Sequence, residues 1–266
     1  MRLSVITINR NNAVGLHKTM ESVLGQTYSD FEYIVIDGAS TDGSVEVLGS
    51  LLTPLKGDDN WRGRIRWISE PDTGIYNAMN KGIRMATGEY LLFLNSGDRL
   101  IDDSVIESVV YEISGESVIC GNIQIHYNGE DIVKHPPDVL TMRYLYNNAL
   151  FHSGGSLIKK EMFVRYGLYD EKLKIVADWK FFIQILILSN ESYKHVDVTM
   201  SEFDLNGIST QDRQLDNFER KKVLDELLPM RIIDDYEQML HPIKSIDDYS
   251  GRELLWYAWR KLKMKL

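Results

Sequence analysis

The residues best able to do chemistry in this 266-residue chain are carboxylates placed where apolar runs end. Tyr90–Leu94 is a short apolar run. The corner after it, Asn95-Ser96-Gly97-Asp98, delivers the Asp98 carboxylate to the edge of a sheet. Glu32–Asp37 is a second such run, ending in Asp37 and the turn-rich Gly38-Ala39-Ser40-Thr41-Asp42-Gly43. Open α/β sheets bind ligands outside the carboxyl ends of their strands. A carboxylate at the end of the second run can accept a hydrogen bond from a nucleobase N–H, such as N3–H of uracil. Asp42 reads differently, as the cap of the helix that follows it. Asp178, in Val176-Ala177-Asp178-Trp179, opens a predicted helix, where the helix dipole favours a negative charge.

The elements that must hold these groups follow from the pattern. Leu3–Ile8 is apolar and β-branched, a buried strand that runs into the polar corner Asn9-Arg10-Asn11-Asn12. A helix follows with Leu16, Met20, Val23 and Leu24 on one face. Residues 53–63 form a surface loop, and Arg64–Ser69 a third strand. Ile75, Met79 and Ile83 recur at helical spacing until Thr87-Gly88 stops the helix. Four strands alternating with three helices imply βαβ units and a parallel or mostly parallel sheet. Beyond Asp98 the pattern predicts a helix near 102–114 and strands near 118–127 and 131–134 around an Asn128-Gly129 hairpin turn. Helices at 138–147, 159–166 and 177–189 and a strand at 193–198 complete that half. Residues 211–240 read as polar-rich helix broken by Pro229, and 250–265 as a final helix; no internal repeat is visible.

Composition excludes several classes. The chain is 44% hydrophobic and 26% charged, as soluble globular domains are. A net charge of −9 argues against general nucleic-acid binding. Cys120 is the single cysteine, so neither an intrachain disulfide nor a cysteine-based zinc site forms, which suits a reducing cytoplasm. Leu3–Ile8 is too short for a signal peptide, and no run approaches the ~20 apolar residues of a spanning helix. The expectation is a cytoplasmic protein. Leu254, Leu255, Trp256, Tyr257 and Trp259 lie beside Arg260, Lys261, Lys263 and Lys265. Such a terminal helix either makes peripheral contact with an anionic membrane, at the inner face of the cell membrane, or packs its aromatics on the rest of the chain. The fingerprint G-x-G-x-x-G is absent from the first corner, which counts against a dinucleotide oxidoreductase.

Three segments, SVITINRNN at 4–12, VIDGASTDGS at 35–44 and SEPDTGIYNAMNKG at 69–82, stand in order before the Asn95–Asp98 corner. With them the chain resembles the nucleotide-sugar glycosyltransferases of family 2 over roughly residues 3–190, and in particular the subgroup that often builds bacterial surface polysaccharides. The resemblance implies an α/β protein of GT-A type, a three-layer α/β/α sandwich with a mixed, mostly parallel central sheet. Residues 1–210 would form the catalytic domain and 211–266 a helical C-terminal extension. It implies that Thr7 and Asn9 line the base or ribose pocket and that Asp37 contacts the base. Asp72, Asn95, Ser96 and His152 would meet the donor, with Asn77 and Lys81 as weaker candidates for the same surface and Ser209 in a loop closing over the diphosphate. Asp98 would face a Mg²⁺ or Mn²⁺ ion, and Asp178 would be the general base. Asn95 and Gly97 stand where many relatives carry the acids of the metal motif, so metal binding by the free protein is expected to be weak; Gly38 and Ala177 replace acids at the other two corners.

The implied reaction is inverting transfer of one sugar from a nucleoside-diphosphate sugar, UDP favoured, to a glycan or polyprenyl-linked acceptor. The processive signature Gln-x-x-Arg-Trp is missing, since residues 211–215 read Gln-Asp-Arg-Gln-Leu. Two other readings stay open: a nucleotide-sugar binding protein without turnover, and a sugar-phosphate nucleotidyltransferase. The latter would show a Gly-rich first loop that Asn9–Asn12 does not supply.

Overall fold

Strand β1 (Leu3–Asn9) and strand β2 (Phe31–Asp37) are buried at every position, as central parallel strands covered on both faces must be. The computed structural model to which they belong describes residues 3–58, 61, 63–205, 212–240 and 259. Between the two strands runs α1 (Ala13–Leu24), capped by the Asn12 side chain, which accepts from the Gly15 N–H. Helix α2 (Ser44–Leu52), strand β3 (Ile65–Ser69), helix α3 (Ile75–Met85) and strand β4 (Tyr90–Phe93) complete the βαβ half. Asp42 serves two helix starts, accepting from the Ser44 N–H and from the Ala13 N–H.

The second half comprises β5 (Arg99–Leu100), α4 (Val105–Tyr111), β6 (Val118–Tyr127), β7 (Glu130–Lys134), α5 (Met142–Asn147), β8 (Ser156–Lys159) and α6 (Lys160–Tyr166). Helix α7 (Ala177–Phe182) runs on as a π-helical stretch, Ile183–Leu188, before β9 (Tyr193–Phe203). The chain divides into two units, Met1–Arg213 and Gln214–Leu266. Across and beyond that boundary lie α8 (Arg213–Leu227) and α9 (Met230–Leu240), on either side of Pro229.

The sheet has nine strands in the order β3-β2-β1-β4-β8-β6-β9-β5, with β7 paired to β6. It is mixed. The β3-β2-β1-β4 half is parallel. Strand β8 then enters antiparallel between β4 and β6, while β9 runs parallel to β6. The long β6 lies beside β8 near its start and beside β7 near its end. Asn128 and Gly129, both at positive φ, turn the β6–β7 hairpin.

Alternation sends Val5, Tyr33, Val35, Tyr90 and Leu92 into a core shared with Leu16 and Met20 of α1, Leu48 of α2 and Ile106 and Val109 of α4. The opposite face carries α3. There Gly82 lets helix and sheet touch: a Cβ would come within 2.5 Å of the Ile6 side chain. Helices therefore cover both faces.

Several elements depart from the sequence expectation. Strands β5 and β8 are too short to carry an alternation signal, and the pattern missed them. Strand β9 extends to Phe203, past the expected end at 198, because its second half pairs with β6 and β5. The helix expected at 138–147 starts at Met142, where the Thr141 hydroxyl accepts from the Tyr144 N–H. The final helix expected at 250–265 lies outside the described residues except for Trp259. No helix among the described residues is long and apolar enough to cross a membrane.

Candidate active site

Register brings Asn9, Asp37 and Ser69 side by side at the carboxyl ends of β1, β2 and β3. Asp37 is fully buried. Its Oδ1 accepts from Asn9 Nδ2 at 2.8 Å and from Ser40 Oγ at 2.6 Å. Its Oδ2 accepts from the Ser40 N–H at 3.0 Å and from Ser69 Oγ at 2.6 Å. Burial alone would push this carboxyl up. The bonds from Ser40, Ser69 and Asn9 more than offset it and hold Asp37 below the ordinary carboxylate range. A carboxylate offers about four lone-pair positions, and the protein takes all of them. In this arrangement Asp37 organises the corner, and a base N–H would have to displace a serine. Thr7 is fully buried within the sheet's core, against the Tyr33 hydroxyl at 3.0 Å. Asn9 keeps its Oδ1 buried and without a hydrogen-bond partner.

Above this corner the Asp72 carboxylate lies against Gly38. A Cβ on Gly38 would come within 2.1 Å of Asp72 Oδ2. Asp72 also accepts from the Gly74 N–H at 3.1 Å and pairs with the exposed Arg10 guanidinium at 3.3 Å. The acid missing from position 38 is thus replaced in space by the acid at position 72.

The Asn95–Asp98 corner joins the same rim. The Ser96 N–H bonds to the Ile8 carbonyl and Asn12 Nδ2 donates to the Ser96 carbonyl. Thr19 of α1 pins the turn, donating to the Asp98 carbonyl and accepting from the Gly97 N–H. Gly97 has φ +110° and lies under the Asp204 carboxylate, with no room for a Cβ. Asp98 itself is 3% exposed. Its Oδ2 accepts from Ser153 Oγ at 2.5 Å and its Oδ1 from the Asp204 N–H at 2.8 Å. Burial, helped by the Asp204 charge and opposed by these two bonds, leaves its pKa raised to about 6. Two neighbouring acids and the buried, unpartnered Oδ1 of Asn95 are hard oxygen donors of the kind that a divalent cation takes. The described residues hold no cluster of three such ligands, so the group fits with phosphate oxygens completing the shell.

Asp178 is half-buried at the start of α7. Its Oδ1 lies 2.6 Å from Tyr76 Oη, at the N-terminus of α3 just beyond the end of β3. Asn77 and Asn80, further along α3, reach Glu171 at 2.8 Å each, and Asn80 also bonds both backbone groups of Tyr169. Asn77 therefore serves the protein, as does Lys81, which bonds the Pro71 carbonyl and Glu70. His152 is 6% exposed, stacked on Phe93 at 4.7 Å, and its Nε2 meets Tyr169 Oη at 2.7 Å. Burial lowers its pKa despite the nearby Asp178 charge, so it brings no positive charge to a phosphate. Its neighbour Ser153 is the residue of that turn that reaches Asp98.

Asp37 ends β2 and Asp98 follows β4, while Asp178 meets Tyr76 just beyond the end of β3. Asp72, Asn95, Ser96 and Asp178 are partly open, whereas Thr7, Asn9, Asp37, Asp98 and His152 are buried. Ser209 lies outside the described residues. Sequence reasoning missed Tyr76, Tyr169, Ser153 and Asp204. The one available signal was Tyr76 and Asn80 sharing a face of α3 with Ile83, a polar pair on an otherwise apolar stripe.

The family model described as Glycosyl transferase family 2 matches residues 4–169. An uncharacterised glycosyltransferase of Mycobacterium tuberculosis is 32% identical over 212 residues, covering 78% of this chain and 77% of its own. A PGL/p-HBAD biosynthesis glycosyltransferase of Mycobacterium bovis is 28% identical, over 77% of this chain and 78% of its own. Among solved structures, S. aureus TarS 1–349 in complex with UDP-GlcNAc superposes with a TM-score of 0.65 at 17% identity, over 90% of this chain and 67% of that one. The longer TarS chain is spanned only to 36% of its length. The mannosyltransferase PcManGT from Pyrobaculum calidifontis, in complex with GDP-Man and Mn²⁺, gives 0.59 at 17% identity, over 79% of this chain and 58% of that one.

Proposed function

This chain belongs to glycosyltransferase family 2, and from that premise we propose that it is an inverting transferase that moves one sugar from a nucleoside-diphosphate sugar to an acceptor hydroxyl. The observation that carries the reading is the half-buried Asp178 carboxylate, held by Tyr76 just beyond the end of β3. Oδ2 of Asp178 takes the proton of the acceptor hydroxyl as that oxygen attacks the anomeric carbon. The bond from that carbon to the diphosphate oxygen breaks on the opposite face, so the configuration inverts once.

The donor would lie over the carboxyl ends of β1, β2 and β4, against the corner that Asp37 shapes and past Asp72, Arg10, Asn95 and Ser96. Asp98, Asp204 and Asn95 Oδ1 would hold Mg²⁺ or Mn²⁺ together with the diphosphate. That ion would balance the charge developing on the leaving group. UDP is the favoured nucleotide, since TarS is a UDP-GlcNAc complex; the acceptor is a glycan or lipid-linked hydroxyl. Residues 1–210 act as the catalytic domain, with 211–266 as an extension.

The test is Asp178→Asn. It is expected to abolish nucleoside-diphosphate release while leaving nucleotide-dependent thermal stabilisation intact. Retained turnover would remove Asp178 from the reaction. Absence of any release by the native protein, with UDP and GDP sugars and Mn²⁺, would favour a binder.

A further inference from the structure

Helix α3 carries most of a motif that the resemblance assigned to the donor, yet its polar side chains point the other way. Tyr76, Asn77 and Asn80 all bond to the segment Tyr169–Asp178, across sequence separations of 89 to 102 residues. Tyr76 is 3% exposed, so water does not serve its hydroxyl. Its Oη lies within hydrogen-bond distance of the Ile175 carbonyl and of Asp178 Oδ1. A phenol has one proton for two acceptors, and an ionised carboxylate is the stronger acceptor of the two.

We infer that Tyr76 is a positioning residue for Asp178: its hydroxyl donates to Oδ1, which fixes the carboxylate and leaves Oδ2 to face the acceptor hydroxyl. The inference rests on Asp178 as the base. Asn77 and Asn80 play the supporting part, since Glu171 and Tyr169 tie the rest of that segment to the same helix. The arrangement acts in both protonation states. While Asp178 is ionised, Oδ1 holds the phenol proton. Once Oδ2 has taken up the acceptor's proton, Oδ1 remains an acceptor and the phenol keeps it in place. Tyr76 itself stays protonated throughout, so no proton passes along the chain of bonds.

The experiment compares the full-length native protein with Tyr76→Phe, which is nearly isosteric and removes the proton that Oδ1 holds. Native turnover in Y76F would overturn the inference. Where Y76F does not fold, the native protein decides. A deuterium isotope shift on the Asp178 carboxyl carbon, from the exchangeable phenol proton, is the supporting result, and its absence overturns the inference. Asp178→Asn separates the two levels. If D178N still releases UDP from UDP-GlcNAc or GDP from GDP-mannose, the base assignment falls whatever Y76F does. If D178N is inactive and Y76F turns over as the native protein does, only the role of Tyr76 falls. In turnover Y76F is expected to lower kcat at least tenfold with the donor KM within twofold, a split that a general loss of packing would not give.

Discussion

Asp37→Asn separates an organising carboxylate from a ligand-binding one. Each oxygen of Asp37 faces one N–H donor and one hydroxyl: Asn9 Nδ2 with Ser40 Oγ on one side, the Ser40 N–H with Ser69 Oγ on the other. Hydroxyls can reverse and accept, but an N–H cannot. The new amide must therefore direct its NH₂ toward Asn9, because the Ser40 N–H is part of the backbone. Asn9 can respond by turning its own amide over, since its Oδ1 has no partner to lose. The bonds survive but lose their charge, which costs about 2 kcal/mol. Asp37→Ala has no such remedy, leaves two N–H groups unpaired, and costs about 4 kcal/mol. Urea unfolding of the two variants measures the gap. Asn9→Asp combined with Asp37→Asn restores a carboxylate–amide pair and should recover most of the D37N loss. The folded pKa of Asp37 is lowered, so its stabilisation is present above the unfolded value of ~3.9 and is lost as pH falls through the folded one. The D37N penalty should accordingly fade in acid. Equal destabilisation by Asn and Ala would refute the amide reversal. Native stability in D37N, with nucleotide-induced stabilisation gone, would refute the organising role and return Asp37 to the base.

Gly38→Ala drives a methyl into the Asp72 carboxylate and should cost about 1–3 kcal/mol by denaturant unfolding, with Asp72→Ala in the same chain relieving most of it. Glu32 is buried, which pushes its carboxyl up, but bonds from Ser4, Thr87 and Arg66 outweigh this and hold it low. Its contribution is present above the unfolded value of ~4.3 and is lost as pH falls through the folded one, so Glu32→Gln should cost on the order of 3 kcal/mol at neutral pH and progressively less in acid, read as thermal midpoints across pH. Calorimetry should show Mn²⁺ binding at least on the order of tenfold tighter with UDP present than without it, because the described residues offer few ligands of their own; tight binding to the free protein would count against the shared shell.

The parallel half of the fold was legible because β1 and β2 are continuous apolar runs and each ends in a polar corner. Helix α3 declared itself by Met79 and Ile83 at helical spacing. The antiparallel half was harder. Strands β5 and β8 are short, and long-range pairing with β9, β4 and β6 defines them rather than local pattern. At the site, residue type located the acids but did not say which way they face. Asp37 and Asp98 lie beneath the rim because Ser40, Ser69 and Ser153 consume their lone pairs, and those serines carry no signature. His152 looked like a contact by type and turned inward because Phe93 and Tyr169 offer it a stack and a hydroxyl.

The segment that bears Asp178 has a kinetic consequence. Its anchors on α3 close loops of 89 to 102 residues, and contacts of such span form late in folding, after their closure entropy has been overcome. Helical content and the β1–β2–β3 ladder can return while that segment is still unattached. On dilution from denaturant, recovery of sugar transfer should then lag behind recovery of the far-ultraviolet signal, so turnover reports the final act of assembly.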